Sequence, residues 1–194
     1  MLLQKTNKEL LRWFGKANTH YFDGKLDQIE ITIQTRGRKN AVGWASTRKV
    51  WEDGNGGRFE LNITAEHLKD APQDIFDTLL HEMVHLSNVQ DGIKDCSSGQ
   101  YHNQRFRDRA EQVGLIVEKG PRGWAYTSLS DEGKAFFESI KPDPDAFSVY
   151  RKDGNGTKKA PTKMKKWVCG CTTIRCATQL DAQCVACGTS FVEV

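Results

Sequence analysis

The chain has 194 residues, 38% of them hydrophobic and 27% charged, which is enough for one domain of ordinary size with a small appendage. Its formal net charge of +3 is unevenly distributed. Residues 1–150 carry a net charge of −2, from 20 Lys and Arg and 22 Asp and Glu, whereas residues 151–194 carry +5, from 8 Lys and Arg and 3 Asp and Glu. Because no run of about 18 uncharged apolar residues and no signal-peptide pattern occurs, composition excludes a membrane-spanning class and predicts an intracellular, cytoplasmic protein.

The N-terminal third contains one helical pattern followed by extended patterns. Apolar residues between Leu3 and Tyr21 recur at helical spacing and predict an amphipathic helix. The segments QIEITIQT and RFELNI alternate apolar and polar residues, which predicts two strands with one buried face each. The segment NAVGWAS between them is a candidate third strand, and EDGNGG is typical of a turn-rich loop.

The middle of the chain is predicted to be mainly helical. A helix is predicted from Pro72 to about Val89, because proline is tolerated in a first turn. A second helix is predicted over Tyr101–Val113, and the segment GWAYTSLSDEGKAFFESI predicts a strand and a short helix. From Lys141 the composition shifts to Pro, Gly and Lys, which is typical of a linker. The predicted domains are a main domain over residues 1–140, a basic linker over 141–163 and a small module over 164–194.

The segment TLLHEMVHL contains the most informative motif. His81 and His85 are four residues apart, about 40° apart around a helix, so both imidazoles can reach one ion. Glu82 lies beside them and could take a proton from water, as in H-E-x-x-H metallopeptidases. The alternative is that these are ordinary helix residues. The apolar neighbours predict a buried helix, however, and each buried unpaired polar group costs about 1–3 kcal/mol, which a metal would offset.

A catalytic zinc site requires a third protein ligand, and three residues are candidates. Glu111 is predicted to lie on the outer face of the second helix. Asp91 follows His85 at the spacing of the last ligand in metzincin-type patterns, but Asn88 stands where that pattern has a turn-forming glycine. His102 is preferred because it shares the inward stripe of the predicted helix with Phe106, Ala110 and Val113.

Four cysteines near the C-terminus predict a second metal site. The segment CGCTTIRCATQLDAQCVAC contains C-x-C, twelve intervening residues and C-x-x-C, the arrangement of a tetrahedral Cys₄ zinc ribbon. A redox C-x-x-C is the alternative, but the expected βαβ context is absent. Such a short module would draw its folding free energy from the metal. The expected ligands are Cys169, Cys171, Cys184 and Cys187, with Cys176 a spectator and Cys96 an unassigned thiol.

The ordered segments YFDGKL, RFELNI, TLLHEMVHL and YHNQRF resemble the SprT-like (Spartan-type) family over most of residues 10–115. That family includes a eukaryotic DNA-dependent protease acting on DNA–protein crosslinks, and many of its members carry a C-terminal zinc ribbon. The resemblance implies a zincin-like metallopeptidase fold in which His81, His85 and His102 bind zinc and Glu82 is the general base. Asn103 departs from the pattern, because family members commonly have glycine directly after the third histidine. The 16 residues between His85 and His102 also form a rather long loop.

The basic tail suggests a nucleic-acid partner. Residues 151–167 contain seven basic residues and one acidic residue, which could contact phosphates, and Trp167 could stack on an unpaired base. The alternative is a solvated linker kept soluble by its charge. Arg105, Arg107 and Arg109 could likewise line a groove for nucleic acid or an acidic substrate, but a charged helix face is the favoured interpretation.

We therefore expect an α+β fold, in which a zincin-like metallopeptidase domain with helices packed on a small sheet is followed by a small β zinc ribbon. The expected function is that of a zinc-dependent metalloendopeptidase with one catalytic and one structural Zn²⁺, acting on proteins bound or crosslinked to DNA. The chain is expected to be a nucleoid-associated monomer that contacts DNA through the linker and ribbon and does not bind membranes. The alternative is a nucleic-acid-binding or transcription-associated zinc protein with an inactive zincin domain.

Overall fold

A computed structural model describes residues 2–35, 41–52, 54, 56–152 and 164–194. The chain divides into two compact units, Met1–Asp153 and Gly154–Val194. Among the described residues, the first unit contains four α-helices and seven β-strands and the second contains only short strands, so the predicted α+β class is confirmed. No helix among the described residues combines the length and apolar character needed to cross a bilayer.

The first unit opens with helix α1 (Leu2–Tyr21) and a three-stranded sheet. Strands β1 (Ile29–Gln34) and β3 (Phe59–Thr64) are parallel, and β2 (Gly43–Ala45) pairs antiparallel with β3. The strand order is β1-β3-β2, so β2 lies at one edge of the sheet. The two alternating segments had predicted β1 and β3, and NAVGWAS was the candidate for β2; the structure confirms all three strands.

Helix α2 (Pro72–Gln90) lies at the centre of the first unit. Pro72 occupies its first turn and Asp74 adds a carboxylate at the positive end of the helix dipole, both of which favour helix initiation there. The helix packs against α1, β2 and β3. Its apolar residues therefore reach the core on several faces, and the fully or almost fully buried ones are Ile75, Phe76, Leu79, Leu80, Met83, Val84 and Leu86.

The second half of this unit forms a four-stranded sheet of order β4-β5-β7-β6. The strands are β4 (Cys96–Ser97), β5 (Tyr101–His102), β6 (Leu115–Gly120) and β7 (Gly123–Leu129), and helices α3 (Gln104–Glu111) and α4 (Asp131–Ser139) follow β5 and β7. The strand and short helix predicted from GWAYTSLSDEGKAFFESI correspond to β7 and α4, whereas β6 was not predicted.

The predicted start of the second helix was wrong. Tyr101 and His102 belong to β5, and α3 begins only after Asn103. The side-chain oxygen of Asn103 accepts a hydrogen bond of 2.8 Å from the backbone amide of Arg105, which makes Asn103 the N-cap. His102 is therefore presented by a strand, and the helical-face argument that favoured it does not apply.

Residues 144–147 lie inside the predicted linker but pack on the first unit. They form a short 3₁₀ helix in which Phe147 is buried, and its ring stacks on that of Trp13 with centroids 4.9 Å apart. The hydroxyl of Thr6 donates a 2.6 Å hydrogen bond to the carbonyl of Ala146. Residues 153–163 of the predicted linker lie outside the described residues.

The second unit contains a three-stranded antiparallel sheet. Strand β8 (Lys165–Val168) lies between β10 (Val192–Glu193) and β9 (Thr173–Cys176). Trp167 of β8 is buried. This small β module carries all four cysteines of the predicted ribbon.

Candidate metal centre

Three histidines from two elements meet in the first unit. His81 and His85 lie one turn apart on α2, while His102 is held by β5 between β4 and β7. The backbone amide of His102 donates to the carbonyl of Arg122 at 2.9 Å. A Cβ on Gly123, which has φ +73°, would collide with the carbonyl oxygen of His102, so this close strand contact requires glycine.

The three Nε2 atoms converge on one point. Nε2 of His102 lies 3.2 Å from Nε2 of His81 and 3.0 Å from Nε2 of His85. With Zn–N bonds of about 2.0–2.1 Å, the edge of a tetrahedral zinc site between two nitrogens is about 3.3 Å. The spacing of the donor atoms therefore fits zinc to within a few tenths of an ångström.

Hydrogen bonds on the opposite ring nitrogens orient two of the rings. Nδ1 of His85 lies 2.8 Å from a carboxylate oxygen of Asp95, and Nδ1 of His102 lies 3.0 Å from the carbonyl oxygen of Gln100. Burial raises the pKa of Asp95, but hydrogen bonds from His85 and Asn88 outweigh it and lower the pKa overall. Because carboxylate and carbonyl oxygens only accept hydrogen bonds, each Nδ1 carries the proton and each Nε2 presents a lone pair to the centre.

The third ring is oriented through a hydroxyl. Nδ1 of His81 lies 3.2 Å from Oγ1 of Thr127, and that hydroxyl donates to Asp77 at 3.2 Å. Since the Thr127 proton points to Asp77, its oxygen is left to accept from Nδ1 of His81. Asp77 lies one turn before His81 on the same helix, and burial raises its pKa to about 6.

Three ring nitrogens that face one another at this spacing can share one metal ion. Burial, followed by the neighbouring histidines, lowers the pKa of His81 well below its ordinary value. Burial likewise lowers the pKa of His102 to about 4. Burial also lowers the pKa of His85, but Asp95 and Glu82 raise it to above the ordinary value. At neutral pH His81 and His102 are therefore neutral ligands, and the cluster could hold a metal ion, consistent with zinc.

Phe106 supports the whole cluster from one side. Its ring centroid lies 4.6 Å from those of His81 and His85 and 4.7 Å from that of His102. Phe106 is fully buried on α3. Its ring therefore packs against all three imidazoles and keeps water from that side.

Glu82 lies between the helix and the edge strand. It is 6% exposed, and burial raises its pKa to about 7, although His85 and a hydrogen bond from the backbone amide of Ala45 lower it in part. A Cβ on Gly43 would lie 3.3 Å from Cγ of Glu82 and 2.9 Å from Cγ2 of Thr78. The glycine thus lets strand β2 pack directly on helix α2 beside the three-histidine cluster.

The alternative third ligands do not join this cluster. Among the described residues, the group formed by His81, His85 and His102 includes neither Asp91 nor Glu111. Sequence reasoning missed Asp77, Asp95, Gln100 and Thr127, which orient the histidines. Asp77 lies one turn before His81 on α2, a spacing that could have indicated it, whereas Asp95 and Gln100 precede β5 and Thr127 lies in β7, at no spacing that a motif fixes. A further group, in which Cys96 joins Asp95 and His85, shares one histidine with the main cluster.

The four predicted cysteines meet in the second unit. The Sγ atoms of Cys169 and Cys171 are 3.8 Å apart, and those of Cys171 and Cys184 are 3.6 Å apart. Zn–S bonds of about 2.3 Å give a tetrahedral edge of about 3.8 Å. Cys187 completes the group, which could hold a metal ion, consistent with zinc. Cys176 lies outside it and contacts the hydroxyl of Thr178.

Comparison with known proteins identifies the first unit. The model of the SprT-like family matches residues 10–123, more than half of the chain, and this range contains Glu82 and all three histidines. Comparisons with curated proteins and with solved structures give no match. The family suggests a metallopeptidase-type domain, as the sequence motifs had predicted. The chain belongs to the SprT-like family.

Proposed function

We propose that this chain is a zinc-dependent endopeptidase whose catalytic metal is bound by His81, His85 and His102. The observation that carries the proposal is the convergence of three Nε2 atoms, since those of His81 and His85 lie within 3.2 Å of that of His102. The Nδ1 atom of each of the three rings has its own hydrogen-bond partner. A bound zinc ion would supply Lewis acidity, which activates water and polarises a peptide carbonyl.

Glu82 moves the proton in this proposal. Its carboxylate takes a proton from the attacking water as the new C–O bond forms, and returns that proton to the amide nitrogen as the C–N bond breaks. A carboxyl group with a pKa of about 7 can both accept and donate a proton near neutral pH. The amide of Ala45 holds the carboxylate in place through its hydrogen bond.

The edge strand offers a position for the substrate backbone. Among the described residues, β2 pairs with β3 alone, and hydrogen bonds from the amide of Ser46 to Glu60 and from the amide of Thr64 to Val42 extend that pairing. An extended peptide could add to the free side of β2, gaining main-chain hydrogen bonds without a specific sequence. This position lies next to Glu82, because Ala45 in β2 contacts that carboxylate.

The proposed substrates are proteins bound or crosslinked to DNA. The support is the basic charge of residues 151–194 together with the four-cysteine cluster, which would fix a small zinc ribbon on the same chain. The basic residues would contact phosphates, so the enzyme would act on proteins held near DNA.

The test measures zinc content and cleavage of an unfolded protein substrate, with and without DNA. We expect two zinc ions per chain, cleavage by the unmodified chain and none by Glu82→Gln, which keeps both ions. His102→Ala should bind one ion only. Cleavage at the unmodified rate by pure Glu82→Gln protein would contradict the proposal.

The competing function is a nucleic-acid-binding zinc protein with an inactive zincin domain, for which the basic second unit is the supporting observation. It predicts no cleavage by the unmodified chain under any condition tested. It also predicts salt-sensitive DNA binding that survives Glu82→Gln and is lost when Cys171 or Cys184 is replaced.

A further inference from the structure

Three donor atoms of different kinds meet on the Nδ1 side of His85, whereas Nε2 of the same ring faces the three-histidine cluster. They are Nδ1 of His85, a carboxylate oxygen of Asp95 and Sγ of Cys96, and every pair of them lies within 4.8 Å. The Nδ1 atom and the carboxylate oxygen are 2.8 Å apart. We call these three residues the mixed-ligand group. Imidazole, carboxylate and thiolate are all ligands of zinc-like ions.

The mixed-ligand group is held by the elements that also hold the cluster. Asp95 is only 6% exposed, and its carboxylate accepts a hydrogen bond of 3.0 Å from the side-chain amide of Asn88 on α2. The backbone carbonyl of Asp95 accepts from the amide of Asn103 at 2.9 Å. Cys96 pairs directly with His102 across β4 and β5. The carboxylate and the thiol are therefore fixed next to His85.

The spacing of these atoms suits an ion after a small movement of Cys96. With Zn–N bonds of about 2.0–2.1 Å and Zn–S bonds of about 2.3 Å, a tetrahedral site places nitrogen and sulfur about 3.6 Å apart. The sulfur therefore has to move by little more than about 1 Å. Strand β4 has only two residues and lies at the end of its sheet, so this shift disturbs little pairing. Cys96 also lines a surface groove, through which an ion can reach Sγ.

The ring of His85 can serve only one ion position at a time. A neutral imidazole has one N–H group and one lone pair. In the structure the N–H group is at Nδ1 and donates to Asp95, so the lone pair is at Nε2 and points to the three-histidine cluster. If Nδ1 binds an ion instead, the proton lies on Nε2 and points into the cluster. An ion in the mixed-ligand group then excludes one from the cluster.

We propose that the mixed-ligand group is an alternative metal site for a soft divalent cation such as Cd²⁺, and that its occupation empties the three-histidine cluster. Asp95 binds the ion as a carboxylate, Cys96 releases its thiol proton to solvent, and His85 exchanges its Nδ1 proton for one on Nε2. Sulfur ligands favour soft ions, whereas Mg²⁺ prefers oxygen. Burial, with Asp95 as a second cause, raises the pKa of Cys96 to about 12, so only an ion that binds sulfur strongly displaces this proton.

The consequence for catalysis rests on the proposed function, because a peptidase with Cd²⁺ in the mixed-ligand group would lack its catalytic ion. Metal binding itself needs no peptidase activity. The decisive experiments therefore measure where ions bind in the full-length, zinc-loaded chain. They give the same answer whether or not the chain cleaves proteins.

The first experiment locates the ion by NMR. ¹¹³Cd²⁺ is added to the zinc-loaded chain, and ¹H–¹¹³Cd correlation spectra identify the residues coupled to each bound cadmium. We expect one cadmium signal coupled to the Cβ protons of Cys96 and to ring protons of His85. Cadmium coupled only to cysteines of the second unit, or to His81 and His102 without Cys96, would overturn the proposal. Mg²⁺ at the same concentration should change no signal of Cys96, and an equal change would contradict a sulfur-dependent site.

The second experiment compares two cysteine variants. Imidazole ¹H–¹⁵N spectra of His81 and His102 report the loss of zinc from the three-histidine cluster as Cd²⁺ is added. Cys96→Ser and Cys96→Ala should each need at least about tenfold more Cd²⁺ for this loss, because a ligand is missing. Cys176→Ser is the matched control, because Cys176 lies outside both metal groups, and it should behave like the unmodified chain. Equal Cd²⁺ requirements in the Cys96 and Cys176 variants would overturn the proposal.

The third experiment tests exclusion by counting ions. At saturating Cd²⁺ the chain should hold two ions in total, one in the mixed-ligand group and one in the four-cysteine cluster, as measured by elemental analysis after gel filtration. Three ions per chain would show that the cluster and the mixed-ligand group are filled together, which contradicts exclusion. Where cleavage is observed, Cd²⁺ should inhibit the unmodified chain at a concentration at least about tenfold lower than it inhibits Cys96→Ser. Equal inhibition of the two proteins would overturn the link to catalysis.

Discussion

At the scale of single residues, the geometry of the three-histidine cluster depends on side chains that would not contact a bound ion. Asp95 is the clearest of them, because its carboxylate accepts from His85 at 2.8 Å and from Asn88 at 3.0 Å. The first of these bonds fixes which nitrogen of His85 carries the proton. The second fixes the carboxylate itself, so Asp95 sets the direction of a ligand lone pair.

We predict that Asp95→Ala weakens zinc binding at the histidine cluster by about 10- to 100-fold, the range known for loss of such supporting residues. Chelator competition, followed as release of one of two zinc equivalents, measures it. Asp91→Ala is the matched control, because it removes the same charge from an exposed residue at the end of α2 and should have no effect. A larger loss of zinc affinity in Asp91→Ala than in Asp95→Ala would indicate that Asp91 is a ligand after all.

Gly43 illustrates how a missing side chain can position a site. A Cβ there would lie 2.9 Å from the carbonyl oxygen of Asn62 and 2.9 Å from Cγ2 of Thr78. One neighbour is backbone in β3 and the other belongs to α2. Neither contact can be relieved by rotating a flexible side chain end, so β2 would have to move.

We therefore predict that Gly43→Ala lowers the free energy of unfolding by about 1–3 kcal/mol, as expected for overpacking, and reduces cleavage because Ala45 shifts away from Glu82. Urea unfolding of the zinc-loaded protein measures the first effect. Gly15→Ala, on α1 with nothing within 4 Å of the added Cβ, is the control and should stabilise the chain by up to about 1 kcal/mol. Unchanged stability of Gly43→Ala would show that β2 is free to adjust.

At the scale of elements, the helices and strands that could be predicted from the sequence are those whose signal depends only on nearby residues. The spacing of His81, Glu82 and His85 depends only on helix geometry, and the structure places them on α2 as expected. The placement of His102 depends on the long loop before it and on pairing with Gly123, neither of which has a periodic signature. The structure therefore brings His102 to the other two histidines, but from a strand and not from the predicted helix, because Asn103 ends the strand and begins the helix.

Asn103 connects two elements through one side chain. Its oxygen caps α3 by accepting from Arg105, and its amide nitrogen donates to the carbonyl of Lys94 at 2.9 Å. Helix α3 carries Phe106, whose ring contacts all three histidines. Asn103 thus fixes both the loop before β5 and the position of Phe106 against the three histidines.

We predict that Asn103→Ala lowers the free energy of unfolding by about 1 kcal/mol or more, because an N-cap is lost together with a loop hydrogen bond. Asn103→Ser keeps a capping oxygen but not the bond to Lys94, and should fall between alanine and the unmodified chain. Urea unfolding at constant zinc concentration measures both. Equal stability of all three proteins would show that α3 needs no cap.

At the scale of the whole molecule, contacts distant in sequence explain what could not be predicted. Residues 144–147 were assigned to the linker because Pro, Gly and Lys dominate the composition from Lys141 onward, yet the ring of Phe147 stacks on that of Trp13, more than a hundred residues earlier. The cysteine module was easier to predict, because its four cysteines lie within one short stretch of sequence. Composition predicts the presence of a core but not which distant residue completes it.

The two units differ in how much apolar surface they bury. In the first unit Trp13, Phe76, Phe106 and many aliphatic residues form one buried cluster. Among the described residues 164–194, only Trp167 and Cys184 are buried hydrophobic residues. A sheet with so small a core cannot offset the conformational entropy of ordering its chain, so we expect its folding free energy to come largely from a metal ion bound by the four cysteines.

We predict that removing zinc with a strong chelator unfolds the second unit while the first unit stays folded. In ¹H–¹⁵N spectra, the amide signals of residues 165–193 should collapse to random-coil positions, whereas those of α1 and β1 should stay dispersed. Cys171→Ser with Cys184→Ser should give the same collapse without chelator. His81→Ala with His102→Ala is the matched control, because it removes the other cluster and should leave the second unit's signals unchanged. Dispersed signals from residues 165–193 in metal-free protein would mean that Trp167 and the backbone pairing of β8 suffice to fold the module.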